Sequence, residues 1–328
     1  MKMDEFSRIK RYFAPLSSTE LGSLGLRDDA AILPVNDSSH LVVSSDALVQ
    51  GVHFRSEDTP YYVARKALRT NLSDLAAMGS QPVAYTLTLI IGREQQNKTC
   101  DWLEKFAAGL ACDQDEFKIS LIGGDSVTSP GPTTISITIF GKPNPSGSIF
   151  RSNAKVGDEI FVSGTIGDAA LGLGLLKGEI TLDTKEHADH LLDRYRLPRP
   201  RTALGKALGG VASAAMDVSD GLLQDLGHIC AESNVGAVVE WRDIPISESA
   251  NLLLNENDNV IELILNGGDD YEIVFTASPS SRQKVMEASD RSNTPVTRIG
   301  HINSGVSVSV IDGSGRAMEL GSKGYRHA

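Results

Sequence analysis

Asn71-Leu72-Ser73-Asp74-Leu75-Ala76-Ala77-Met78-Gly79 closes a well-marked helix with polar side chains that the helix itself does not need. Upstream, Thr59 offers an N-cap hydroxyl and Pro60 a ring suited to the first helical position, while Gly79 supplies a left-handed stop. Ala64, Leu68, Leu72, Leu75 and Ala76 fall on one face at helical spacing, so burial accounts for them. Asn71, Ser73 and Asp74 remain. They form either a solvated last turn or part of a site. A carboxylate at a helix C-terminus meets the negative end of the macrodipole, which is unfavourable by about 0.3–1 kcal/mol unless a cation sits there.

The whole chain of 328 residues is long enough for two domains. With 41% hydrophobic residues, 22% charged residues and 31 glycines it reads as a globular α/β (α+β) protein. The longest apolar stretch, Val83 to Ile91, is too short to span a bilayer, so no membrane partner is expected. The N-terminus lacks an apolar signal core, which places the protein in the cytoplasm. Cys100, Cys112 and Cys230 are too scattered for a disulfide framework or a zinc site. A net charge of −11 argues against nucleic-acid backbone and is compatible with cation binding.

Around the helix, several strands lead into acids. Asp28-Asp29 precedes the apolar run Ala30 to Leu33, and His40 to Ser45 ends in Asp46. Gly51-Val52-His53-Phe54 is a loop, and a lone histidine there is more often a packed or surface residue than a ligand. Val83 to Ile91 alternates as a strand, Trp102, Phe106 and Leu110 mark a helix, and Ile119 to Ile122 runs through Gly123-Gly124 into Asp125. Thr134 to Gly141 is a further strand, and Lys142 to Gly147 is the clearest linker. The domains are accordingly expected at 1–143 and 149–328.

The second half opens with Arg151 and the strand around Ile160 to Ser163. Gly172 to Gly178 lies within a helical pattern with its third glycine one residue late, so no dinucleotide fingerprint is present. His187 and His190 share a helical face without a third ligand nearby. In Asp217-Val218-Ser219-Asp220-Gly221, Ser219 reads as a helix cap with Asp220 in the first turn, and Asp217 projects from a strand end. Gly267-Gly268-Asp269-Asp270-Tyr271-Glu272 then introduces another strand.

Asp29, Asp46, Asp74, Asp125, Asp217 and Asp220 thus sit where α/β architecture opens its clefts. Two carboxylates 4 Å apart repel by roughly 4 kcal/mol at an effective dielectric of 20, so convergence requires cations. An oxygen set without cysteine or histidine favours Mg²⁺, which keeps positions open for phosphate. Gly-x-x-x-x-Gly-Lys-Ser/Thr is absent, which excludes a P-loop kinase. The residues alone stop at an acidic, phosphate-handling cleft.

Six ordered motifs carry a resemblance: Asp28-Asp29-Ala30-Ala31; Asp46 with Gly51-Val52-His53-Phe54; Lys66-Ala67-Leu68 leading into Asn71 to Gly79; Leu121 to Asp125; Asp217 to Leu222; and Gly267 to Glu272. Across nearly the whole chain they resemble the thiamine-monophosphate kinase family. That resemblance implies ATP-dependent phosphorylation of thiamine monophosphate by direct transfer, several Mg²⁺ ions, and the aminoimidazole ribonucleotide synthetase-like fold. In that fold the N-terminal domains pair in a homodimer and the C-terminal α/β domain closes the cleft. It implies Asp29, Ser44, Ser45, Asp46, Asp74, Asp125, Asp217 and Asp220 as metal ligands, with Asp74, Asp217 and Asp220 at the chemistry. Gly124, Asp125, Arg151 and Ser219 would meet ATP, and His53, Asp269 and Tyr325 the thiamine substrate. The chain departs from the family pattern with Arg27 in place of glycine, Asp269 in place of glutamate, and Ser322 in place of the aromatic residue before Lys323-Gly324. The competing expectations are another synthetase of the superfamily and a non-catalytic Mg²⁺-nucleotide binder; selenophosphate synthesis is disfavoured because the first cysteine is Cys100.

Overall fold

The computed structural model describes residues 4–17, 22–36, 39–93, 99–257 and 259–320. After the short α1 (Glu5–Arg8), the first half runs β1 (Ala31–Asn36), β2 (Ser39–Val49), α2 (Pro60–Ala77), β3 (Gln81–Ile91), α3 (Thr99–Phe117), β4 (Ser120–Thr128) and β5 (Thr134–Lys142). The second runs β6 (Glu159–Ser163), α4 (Asp168–Lys177), α5 (Lys185–Arg196), α6 (Thr202–Leu208), β7 (Ala214–Asp217), α7 (Leu222–Ser233) and β8 (Gly236–Glu240). It closes with α8 (Glu248–Glu256), α9 (Val260–Asn266), β9 (Ile273–Ala277), α10 (Arg282–Ser292), β10 (Val296–Asn303) and β11 (Val308–Ile311). Two sheets result, ordered β1-β2-β5-β3-β4 and β11-β8-β10-β6-β9-β7, and no strand of one half enters the other's sheet. Pairing is antiparallel except for β3 with β4 and β8 with β11, the α+β arrangement.

Helix α2 is the central element. It starts at Pro60 and stops at Gly79 (φ 69°), as its punctuation predicts. Thr59 takes the extended cap conformation, but its hydroxyl makes no capping bond. The helix is buried nearly all round, which the one-sided apolar stripe does not foretell. Its apolar stripe packs on the first sheet and α3 with Trp102, Phe106, Ile135, Ile137 and Ile139. Its polar side is covered too. Arg65 and Arg69 both bind Asp113 of α3, at 2.7 and 2.9 Å through Nε, and Asp113 is fully buried. Paired, hydrogen-bonded charges tolerate such burial where single ones do not.

The end of α2 docks on the second half. Gly205 of α6 stands so close to Ala76 that a Cβ there would lie 2.0 Å from the Ala76 carbonyl oxygen, so glycine is required. Asn144 of the connecting segment donates to the carbonyls of Gly79 (3.1 Å) and Lys206 (2.8 Å), tying the two helices. A shared core of Ala76, Ile149, Phe161, Leu204 and Phe275 seals the joint. The C-terminal half has its own larger core, from Ile160 to Val310. No helix among the described residues is long and apolar enough to cross a membrane.

Candidate active site

Strand β2 reaches the cleft at its middle rather than its end: Asp46 is followed by Ala47, Leu48 and Val49 in the same strand. Alternation divides its polar residues. Ser44 and Asp46 share the helix-covered face with Val42 and Leu48, whereas Ser45 points to the opposite face and meets Thr138 Oγ1 at 3.0 Å. Ser44 Oγ donates to Asp74 Oδ2 at 2.5 Å. Asn71 fixes the register between strand and helix: its Oδ1 accepts the Asp46 backbone N–H at 3.1 Å while its Nδ2 donates to the Ala67 carbonyl. The polar trio that ends α2 is therefore no solvated turn.

Asp29 enters from the bend before β1, and Asp217 from the end of β7 in the other half. Each of Asp29, Asp74 and Asp217 offers a carboxylate oxygen such that all three lie within 4.8 Å of one another. Burial pushes the Asp74 carboxyl well above its ordinary range, and the charges of Asp46, Asp217 and Asp29 push it further, although the side chain keeps a thin contact with solvent. Asp217 is raised likewise by burial and then by Asp29. Ser73 Oγ lies beside Asp217 without reaching hydrogen-bond geometry. Asp28 is raised to about 7, by burial first and its neighbour Asp29 second.

One fixed cation faces the cluster. Arg151, in the segment joining the two halves, donates through Nη2 to Asp29 Oδ1 at 2.6 Å. Burial works against its charge, but Asp29 and Asp28 outweigh it and keep the guanidinium protonated. Asp29 Oδ2 remains buried with no hydrogen-bond partner among the described residues. Converging carboxylates and an orphaned buried oxygen, with no sulfur or imidazole ligand beside them among the described residues, fit a hard divalent cation such as Mg²⁺.

The other expected residues fall in different places. Ser219 does not cap α7, which begins at Leu222 after Gly221 (φ 125°). Its carbonyl instead accepts the Asp269 N–H at 2.8 Å, which holds the Gly267–Tyr271 loop against the Asp217–Asp220 turn. Asp220 stands beside that turn, accepting from Gln224 at 2.8 Å. The carboxylate that organises the turn is Asp225, which sequence reasoning missed. It is fully buried, and its Oδ2 accepts the N–H groups of Asp220 and Gly221, both at 3.1 Å. An acid in the first turn of a helix that opens with glycine was the available signal.

His53 accepts the Val49 N–H through Nδ1 at 3.0 Å, which leaves Nε2 as the proton-bearing nitrogen of the neutral ring. Asp125 lies in the middle of the exposed edge strand β4. The register aligns Asp46, Ile137, Leu87 and Gly124 across the sheet, so within one chain Asp125 lies three strands from Asp46, about 14 Å away. Gly124 is demanded by packing, since a Cβ would lie 1.8 Å from the Leu87 carbonyl oxygen. Tyr325 lies outside the described residues. Arg27 forms a largely exposed ion pair with Glu232 at 3.1 Å.

Both halves of the chain match the domain models of the AIR synthase related proteins. Their N-terminal domain model matches residues 27–142 and their C-terminal domain model residues 155–313. Thiamine-monophosphate kinase of Escherichia coli K12 is 37% identical over 328 residues, covering 100% of this chain and 99% of that protein. The kinase of Caulobacter vibrioides is 41% identical over 308 residues, covering 93% and 86%. Among solved structures, AaThiL complexed with AMPPCP and TMP superposes with a TM-score of 0.83 at 29% identity, covering 100% and 99% of the two chains. Thiamine-monophosphate kinase from Stenotrophomonas maltophilia superposes at 0.76 with 38% identity, covering 94% and 98%. The chain belongs to the thiamine-monophosphate kinase family.

Proposed function

We propose that this chain transfers the γ-phosphoryl group of ATP to thiamine monophosphate, giving thiamine diphosphate, and that it does so with Mg²⁺ in one direct in-line displacement. The family relationship carries the kinase activity; the convergence of Asp29, Asp74 and Asp217 carries the site. Asp29, Asp74 and Asp217 would hold Mg²⁺, with Asp46, Ser44 and Asp220 around them. Bound Mg²⁺ would offset the charge of two phosphates that must approach each other.

The protein's own task is alignment. The β7 end delivers Asp217 against α2, Asn71 fixes Asp46 against Asp74, and Arg151 places a guanidinium where phosphate oxygens would arrive. A phosphate acceptor brings its own nucleophilic oxygen, so direct transfer needs no side-chain nucleophile. His53 and Asp269 would contact the thiamine moiety, and Gly124, Arg151 and Ser219 the nucleotide. Purified protein with ATP, Mg²⁺ and thiamine monophosphate should form thiamine diphosphate, with free thiamine a poor acceptor; absence of product from folded protein refutes the reading. A chiral γ-thiophosphate donor should show inversion at phosphorus, and net retention would refute direct transfer.

We read residues 1–143 and 149–328 as the two domains, because β1–β5 and β6–β11 form separate sheets. The functional unit we propose is a cytoplasmic homodimer built through the first sheet. Strand β4 is exposed along its whole length, with Leu121 and Ile122 open to solvent. Such an edge invites pairing. Asp125, three strands from Asp46, and Ser45, on the opposite face of β2, would then complete a site shared between two copies.

A further inference from the structure

One residue of the sequence motifs stands apart from the cluster at the joint between the halves. Lys66, two turns before Asp74 on α2, is only 4% exposed. A buried ammonium costs several kcal/mol unless it is paired. Its partner is the Asp269 carboxylate of the other half, at 3.0 Å from Nζ to Oδ2, and the ammonium also lies 3.9 Å from the centroid of the Tyr195 ring on α5. Lys66 thus meets two segments of the C-terminal half at once.

Holding the halves together does not require it. Arg69 already donates to the Pro198 carbonyl at 2.9 Å, Arg55 to that of Leu176 at 3.1 Å, and Asn144 bridges α2 and α6. What Lys66 does control is a strained carboxylate. Asp269 has φ 64° and Tyr271 φ 50°, conformations that are unfavourable for non-glycine residues and persist where the surroundings impose them. Backbone bonds from Asp269 and Tyr271 to Ser219 and Val218 fix the main chain of this loop, and Lys66 fixes the side chain. One Asp269 oxygen is thereby committed, while the other makes no hydrogen bond among the described residues and the side chain stays 28% exposed. The surroundings are otherwise acidic: Tyr271, next but one, feels the charges of Asp269, Asp46, Asp217 and Asp74 together.

We propose that Lys66 is a specificity-determining positioning residue: it holds the Asp269 carboxylate towards the cleft so that its free oxygen meets the cationic ring of a phosphate-bearing acceptor. The inference rests on the reading of Asp269 as an acceptor contact. Lys66 and Asp74 stand eight residues apart on one rigid helix, about 12 Å along its axis, so α2 gauges the distance between the cationic and anionic ends of the acceptor. Without the ammonium, the neighbouring acids would repel Asp269 from this position, and the acceptor would lose its partner.

The test is a double-mutant cycle on the full chain with Lys66→Met, Asp269→Asn and the pair, measuring kcat, both KM values and Tm. Lys66→Met is expected to raise KM for thiamine monophosphate at least tenfold while kcat stays within about threefold and KM for ATP is unchanged. The double variant should lose no more than Asp269→Asn alone and should recover part of any fall in Tm, because both charges are gone. A lower Tm with unchanged KM in Lys66→Met would overturn the inference and leave a structural ion pair. Losses that multiply in the double variant would also overturn it, since Lys66 would then act through a contact of its own. Unchanged KM in Asp269→Asn would instead refute the acceptor reading of Asp269 and the inference with it.

Discussion

The side-chain oxygen of Asn71 accepts the backbone N–H of Asp46 at 3.1 Å, joining the middle of a strand to the last turn of a helix. This bond sets where Ser44 and Asp46 stand against Asp74. Asn71 is fully buried, so replacing it strands the Asp46 N–H without solvent. Asn71→Leu, which keeps the branched shape, should cost about 1–3 kcal/mol in urea unfolding and lower kcat by at least tenfold in the folded fraction. Full activity with only a stability loss would show that the register tolerates its absence.

Cation binding should release protons. Burial and mutual repulsion raise the Asp74 and Asp217 carboxyls, so without cations they retain protons above the ordinary carboxylate range. A carboxyl raised in the folded state favours folding at low pH and loses that contribution as pH rises. The cation-free protein should therefore weaken as pH climbs, and Mg²⁺ should raise Tm more at pH 8 than at pH 6. Thermal melts at both pH values check this; a Mg²⁺ shift that shrinks with rising pH contradicts it.

His228 gives the opposite slope. Burial, then Arg151, lowers its pKa to about 4, and its ring stacks on Phe6 with centroids 4.0 Å apart. The ring is neutral in the fold above that pH, whereas the unfolded chain takes up a proton below about 6.5. Its contribution is present above 6.5 and is lost as pH falls towards 4, on the order of 3 kcal/mol. His228→Phe should flatten the stability profile between pH 6.5 and 4 by that amount, measured by chemical denaturation at each pH. An unchanged slope would mean that the ring is protonated in the fold.

Asp125 tests the dimer. Light scattering should give twice the 35.1 kDa chain mass, and Ile122→Glu on the exposed β4 edge should shift it towards monomer. If Asp125 serves the partner's cluster, mixing inactive Asp125→Ala and Asp217→Asn proteins should restore about a quarter of the activity, because half the random dimers contain one intact site. No recovery after subunit exchange would confine each site to one chain.

The helix, the strands and the linker were legible because apolar periodicity and glycine or proline punctuation record them locally. Pro60 and Gly79 bound α2 where the sequence places them. The acids were legible as candidates, but their grouping depends on long-range register. Ser44 and Ser45 are neighbours in sequence and stand on opposite faces of β2, and Asp125 follows the motif of the cleft yet stands three strands from Asp46. Asp225 escaped notice, and Lys66 was quoted in a motif without a role, for a related reason: each acts on a partner that only the folded chain brings near, Asp225 on the Asp220 turn and Lys66 on Asp269, 203 residues away.

Asp74 and Asp217 come from different halves of the chain into one cluster, and substituting each by asparagine tests that joint role most directly. Asparagine keeps the size and removes a ligand charge. Turnover at saturating ATP, Mg²⁺ and thiamine monophosphate should fall by roughly 10²–10³ in each variant. The cation-free Tm should hold or rise, since a repelled carboxylate has been removed. Near-normal turnover in folded Asp217→Asn protein, with a lowered Tm, would contradict the account, for Asp217 would then merely support its turn.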